Sequence, residues 1–128
     1  MKLFKNVQPE FTDERGAITK ILDDGKTDIK SILLITSSNG SIRANHYHRK
    51  DSHYCYLLSG KFEYTEQPVD KSSKPETIII EPGDMIFTPP MIMHAFRFLE
   101  DSAFFVFATE SRSQSDYESD TIRVDLIR

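Results

Sequence analysis

A chain of 128 residues is long enough to bury one core and too short for a catalytic domain joined to a separate cofactor domain, so residues 1–128 read as a single domain. Its 38 % hydrophobic and 28 % charged residues, with nine Phe and five Tyr, exclude a disordered chain. A net charge of -4 with no concentration of Lys and Arg excludes a nucleic-acid polymer as partner, and no stretch approaches the ~20 apolar residues of a membrane span. The opening Met1-Lys2-Leu3-Phe4-Lys5 lacks the apolar centre of a secretory signal, and the single Cys55 cannot form an internal disulfide; a cytoplasmic protein is expected. Scattered cations, Arg15, Lys30, Arg43 and Arg97, leave room for one small anionic ligand.

Segments rich in β-branched and aromatic residues alternate with Gly, Pro, Asn, Asp and Ser clusters along the whole chain, while helical periodicity is nearly absent. In order, strands are expected at Ala17–Leu22, Ile29–Thr36, Ser41–His48, His53–Leu58, Lys61–Gln67, Glu76–Glu81, Met85–Thr88, His94–Leu99, Ala103–Thr109 and Thr121–Ile127. Ser38-Asn39-Gly40, Ser59-Gly60, Pro82-Gly83-Asp84 and Glu100-Asp101-Ser102 are turn sequences expected to close hairpins. Asp70–Pro75 reads as a polar loop, and Glu110–Asp120 as an acidic, Ser-rich connector before the last strand. About ten short strands without helices imply an all-β sandwich or barrel, since apolar faces must be covered and sheet edges disposed of.

The four histidines of the chain carry the chemical signal. His46 and His48 stand two apart on one strand and share a face. The polar turn Arg49-Lys50-Asp51-Ser52 lets His53 point inward from the antiparallel neighbour, with Cys55 and Leu57 on its side and Tyr54, Tyr56 and Leu58 on the other. His94 follows Thr88-Pro89-Pro90 and completes the set. Taken singly, a strand histidine is more often a surface or hydrogen-bonded core residue. Taken together, His46, His48, His53 and His94 form a candidate site for one divalent metal ion, with zinc, iron, manganese and nickel all open as its identity.

The spacing is also that of a family. From Gly40 through His46-Tyr47-His48 and His53 to Gly60, and again from Gly83 through Pro89 to His94, the chain resembles the two motifs of the cupin superfamily, small jelly-roll β-barrels. The resemblance covers about Gly40 to Phe98 and implies metal ligation by His46, His48 and His94, with His53 standing where these proteins usually carry Glu. Met91 replaces a usual Gly and Phe98 a usual Asn. Beyond the motifs, Asp13-Glu14-Arg15-Gly16-Ala17-Ile18, Ile29-Lys30-Ser31-Ile32, Arg43, Asp116-Tyr117-Glu118 and Ile122-Arg123 look like the WxcM-like sugar-nucleotide cupins. Among these are the dTDP-4-keto-6-deoxyglucose 3,4-ketoisomerases and, more distantly, the dTDP-4-dehydrorhamnose 3,5-epimerases. In such enzymes the paired His act without a metal, as base and hydrogen-bonding partner at a carbon next to a ketone. The chain departs from the ketoisomerases at His53, usually Gln, and at Leu33 or Leu34, where an active-site Tyr is usual.

The expectation is therefore a metal-binding cupin that isomerises or epimerises a keto-sugar, nucleotide-linked or phosphorylated. His46 and His48 are its catalytic candidates, and Arg43 steadies the anionic part of the substrate. Phe96, Phe98 and Phe62 are candidates for an apolar wall against the substrate ring, with core packing as their simpler role. Cys55 reads either as a buried small hydrophobe or as a thiolate beside His53. Phe104-Phe105-Val106-Phe107 is apolar on both faces, which favours a homodimer. An iron-dependent dioxygenase and a non-catalytic sugar- or metal-sensing module are the competing functions.

Overall fold

The computed structural model describes residues Met1–Arg128. In chain order the elements are β1 (Lys2–Phe4), β2 (Phe11–Asp13), β3 (Gly16–Ile18), β4 (Ser31–Ser37), β5 (Ile42–His48), β6 (His53–Ser59), β7 (Phe62–Pro68), β8 (Glu76–Ile80), β9 (Met85–Thr88), β10 (Ile92–Phe98), β11 (Ser102–Ala108), α1 (Gln114–Asp120) and β12 (Thr121–Arg123). Two five-stranded antiparallel sheets, ordered β1-β9-β6-β11-β4 and β12-β5-β10-β7-β8, form the all-β jelly roll, and β2 and β3 make a separate small hairpin.

Most of the expected strands are present, but most of the expected hairpins are not. The turns at Asn39-Gly40, Gly60, Gly83 and Asp101 each carry the chain from one large sheet to the other, and only β7 and β8 form a hairpin within a large sheet. A strand that has covered one side of the core crosses over and covers the other side, which is how a short all-β chain encloses its apolar residues. The expected strand Ala17–Leu22 is only the β3 half of the small hairpin, and β1, which pairs with β9, had no signal in the alternation. The Glu110–Asp120 connector holds α1.

Between the sheets lies a core of Cys55, Leu57, Phe62, Tyr64, Ile80, Ile86, Phe96, Phe98, Phe104 and Val106. Its aromatic members interlock, Phe62 against Phe96 at 5.1 Å between ring centroids and Phe98 stacked on Phe104 at 5.7 Å. Alternation along β11 sends Phe104 and Val106 into this core and leaves Phe105 and Phe107 half-buried on the outside, beside the exposed Ile32 and Leu34 of β4.

Two backbone irregularities shape the end of the sandwich that carries the histidines. Ala44 and Asn45 have φ of 68° and 55°, and the β5–β10 register slips there, so that His94 faces His46 while Ala95 faces Ala44. Asn45 is the extra residue of a bulge. Its side chain then takes over the C-terminal segment, accepting from the N–H groups of Leu126 and Ile127 and donating to the Ile127 carbonyl. This is why the last strand stops at Arg123 and does not run to Ile127. Met91, at φ 64°, holds the left-handed conformation that glycine adopts freely, and its N–H donates to the His48 carbonyl at 2.8 Å.

Candidate active site

All four imidazoles point into the same end of the sandwich, supplied by both sheets. His46 and His48 come from β5, and His94 from β10, its hydrogen-bonded neighbour. His53 comes from β6, which lies in the facing sheet and is not the antiparallel neighbour of β5 that the turn sequence suggested. Ring centroids are 4.6 Å apart for His46 and His48, 4.8 Å for His46 and His94, 4.8 Å for His48 and His53, and 6.3 Å for His53 and His94. All four are buried.

The rings differ in what their nitrogens do. His94 Nδ1 donates to the Ile92 carbonyl at 3.0 Å, which leaves Nε2 with its lone pair. His53 Nε2 is 2.7 Å from Asp51 Oδ2. The other oxygen of Asp51 accepts from Thr109 N, Thr109 Oγ1 and Glu110 N, so this buried carboxylate is fully partnered. By contrast, His46 Nδ1 and His48 Nε2 are buried with no partner at all. An unsatisfied buried polar atom costs about 1–3 kcal/mol, and two of them among three adjacent imidazoles are what a metal centre leaves when its ion is considered apart.

Two sets of side chains bring one ligand atom each to within 4.8 Å of one another: His46, His48 and His94, and His48, Asp51 and His53. The first set has lone pairs to spare. In the second, Asp51 and His53 already satisfy each other. The residues therefore fit a divalent ion on His46, His48 and His94, with His53 beside them, tied to Asp51.

Burial holds these rings neutral. Desolvation, followed by repulsion from neighbouring imidazoles, lowers His46 to about 2 and His48 to about 4; desolvation lowers His94 to about 3. Neutral imidazole is the form that binds metals or accepts a proton. Burial also raises the Cys55 thiol to about 12, so Cys55 lines the cavity as a small hydrophobe and not as a thiolate.

A cavity of about 120 Å³ opens beside the cluster, with His46, His53, His94, Cys55, Phe96 and Phe104 among the residues that line it. Of the three phenylalanines expected to form an apolar wall, only Phe96 lines this cavity. Phe98 lies two residues deeper on β10 and Phe62 pairs with it on β7, so both belong to the core floor. Arg43 stands at the mouth, where its guanidinium bridges from β5 to β4 by donating to Ser37 Oγ and the Thr36 carbonyl. From there a wider hydroxyl-lined groove of about 670 Å³ runs past Ser37, Ser41, Ser59 and Ser102.

Composition and alternation did not single out the residues of α1 that surround the cluster. Tyr117 of α1 lies against it, 5.7 Å from the His48 ring and 6.5 Å from that of His46, with the Arg112 guanidinium 4.0 Å over its ring, and both side chains line the cavity. Asp120, at the end of α1, accepts from the backbone N–H groups of Arg49, Lys50 and Asp51 and so ties α1 to the β5–β6 turn. For Tyr117 the available signal was the family resemblance of Asp116-Tyr117-Glu118, inside a segment otherwise read as a connector.

Residues 34–109 match the model of the cupin domain family. No curated protein sequence matches the chain. Among solved structures, the chain is similar to a 3,4-ketoisomerase from Helicobacter canadensis, with a TM-score of 0.77 and 20 % identity over 95 % of this chain and 89 % of that one. It is similar to the sugar 3,4-ketoisomerase QdtA from Thermoanaerobacterium thermosaccharolyticum in complex with TDP, with a TM-score of 0.76 and 21 % identity over 95 % and 86 %. The dTDP-4-dehydrorhamnose 3,5-epimerase from Sulfolobus tokodaii gives a TM-score of 0.75 and 21 % identity over 92 % and 75 %. At these identities the likeness is one of fold.

Proposed function

The chain belongs to the cupin domain family, and from that footing we propose that it isomerises or epimerises a keto-sugar, nucleotide-linked or phosphorylated, by moving a proton at the carbon next to the carbonyl. The observation that carries this reading is the set of four inward imidazoles beside a cavity with Arg43 at its mouth. A cavity of about 120 Å³ takes one ring-sized group, far below the ~300–1,000 Å³ of sites that swallow a whole ligand. The rest of the substrate then lies outside, where Arg43 and the hydroxyl-lined groove offer an anion partner and many hydrogen bonds. The solved relatives named above that act on nucleotide-linked sugars support the same substrate class.

His46, His48 and His94 are the residues that would hold a divalent ion, which supplies Lewis-acid polarisation of a carbonyl when bound. His53 is then the free imidazole on the cavity wall. Asp51 behind it stabilises the imidazolium formed when the ring takes a proton and fixes the ring's orientation. Arg43 holds the anionic end of the substrate, and Phe96 with Phe104 exclude water from the reacting ring. A homodimer belongs to the same reading: the outer face of the β4–β11–β6 sheet presents Ile32, Leu34, Phe105, Phe107 and Leu58 with no charge among them, and a second copy covers it. Sedimentation equilibrium is expected to return the mass of two chains, and a single-chain mass at micromolar concentration removes that part.

The function is tested by incubating the protein in D2O with a panel of nucleotide-linked 4-keto sugars, with and without added divalent ions, and following the ring protons by NMR. Deuterium is expected at the carbon next to the ketone, together with an isomerised or epimerised product. No exchange across the panel overturns the proposal. Oxygen uptake that depends on added Fe(II) would replace it with a dioxygenase, and tight binding without turnover with a sensing module.

A further inference from the structure

We infer that Thr121 is a positioning residue that fixes the tautomer of His48 and thereby determines which ring nitrogen offers a lone pair to the site. The inference rests on the preceding reading only in giving that lone pair a use; the tautomer itself follows from the hydrogen bonds around it.

Thr121 begins β12 and is held opposite His48 by the β12–β5 register, with its side chain buried. Its hydroxyl has one hydrogen to give. That hydrogen goes to the Tyr117 carbonyl at 2.6 Å, since a carbonyl only accepts. What Oγ1 then presents to His48 Nδ1, 3.4 Å away, is a lone pair. Asp120 adds acceptors on the same side, its Oδ2 at 4.0 Å from Nδ1 and its backbone. Thr121 and Asp120 therefore both call for a hydrogen on Nδ1, and neutral imidazole carries only one. Nε2 is left with its lone pair, buried and without a partner in the chain.

His94 reaches the same state by a simpler route, with its Nδ1–H on the Ile92 carbonyl. The two rings thus present matching Nε2 lone pairs. For His48 the device is longer: the last turn of α1 sets the Tyr117 carbonyl, the carbonyl commits the hydroxyl hydrogen, and the hydroxyl oxygen commits the imidazole. Outer partners of this kind orient a ring and choose its free nitrogen. The segment read from sequence as a linker before the last strand is in this way part of the machinery.

The test uses protein labelled with ¹⁵N at histidine, stripped of metal by chelator and held at neutral pH, with long-range ¹H–¹⁵N correlation spectra and a Zn²⁺ titration. No substrate enters, so its outcome is separate from the fate of the isomerase reading. In the parent protein His48 is expected to show a protonated Nδ1 and an unprotonated Nε2. In Thr121→Val the isosteric side chain lacks the acceptor, and His48 is expected to move toward a mixture of tautomers while Zn²⁺ binding weakens by about 10-fold or more, the loss typical of a missing outer partner. Thr121→Ser restores the oxygen and is expected to restore both readouts, which a purely structural role for the threonine would not require. A protonated Nε2 on His48 in the parent protein overturns the inference outright, even if Thr121→Val fails to fold. An unchanged His48 tautomer in folded Thr121→Val overturns it equally.

Discussion

His48→Ala and His46→Ala each reduce exchange of the proton next to the ketone by at least about 10²-fold, the several kcal/mol of carbonyl polarisation that an ion held by these rings would supply. The loss falls on kcat more than on KM, because neither ring touches the groove where the anionic part of the substrate is placed. Arg43→Ala behaves in the opposite way, raising KM with a smaller effect on kcat. These two signatures separate the imidazole cluster from its mouth. Equal turnover in His48→Ala and in the parent protein would remove the cluster from the chemistry.

The second large effect concerns stability in acid. In the metal-free protein His46, His48 and His94 are held near 2, 4 and 3 by burial and mutual repulsion, against 6.5 for an exposed imidazole. Above pH 6.5 folded and unfolded chains are both neutral at these rings, and stability does not change on their account. Below it the unfolded chain binds protons that the folded chain refuses, so stability falls steadily from pH 6.5 toward pH 4. Each ring contributes about 1.4 kcal/mol per pH unit, and three rings together about 4 kcal/mol by pH 5.5. That is a large part of the ~5–15 kcal/mol that holds a domain of this size folded.

Two carboxylates act on either side of this window. Burial raises the Glu66 carboxyl, so that group favours the folded state as pH falls, but it is one group against three. Burial also pushes Asp51 up, yet hydrogen bonding and charge from His53 leave it lowered overall, and its contribution is lost only below about pH 4, after the imidazoles have acted. Urea unfolding of chelator-treated protein is expected to show a clearly lower midpoint at pH 5.5 than at pH 7.5. An equal or higher midpoint would mean that the rings are solvated and that the buried cluster does not exist in solution.

The parts of this protein legible in its sequence are those written locally. Strand alternation placed His46 with His48, and Phe104-Phe105-Val106-Phe107 read as apolar on both faces; His53 was expected to point inward, and it does so from the facing sheet rather than from a strand paired with β5. What alternation cannot encode is which strand becomes a neighbour. Ser59-Gly60 reads the same whether it closes a hairpin or carries the chain to the facing sheet, and the choice is made by the whole core. The bulge at Ala44 and Asn45 was invisible for a related reason: Asn tolerates a positive φ but does not demand one, Ala gives no sign of it, and the bulge is stabilised by Asn45 bonding to residues some eighty positions away. Tyr117 was marked only through the family resemblance, and Thr121 and Asp120 were missed because their meaning lies entirely in His48 and the β5–β6 turn. Asp51 looked like an ordinary turn residue, and only the fold turned it toward His53.

The most direct trial of the account is the metal content of protein purified without an affinity tag, set beside that of His94→Ala. The convergence of three imidazoles from two neighbouring strands on one point predicts close to one divalent ion per chain in the parent protein and a near-complete loss in the variant. A parent protein that turns over keto-sugars while free of metal, or a variant that keeps its ion, would contradict it.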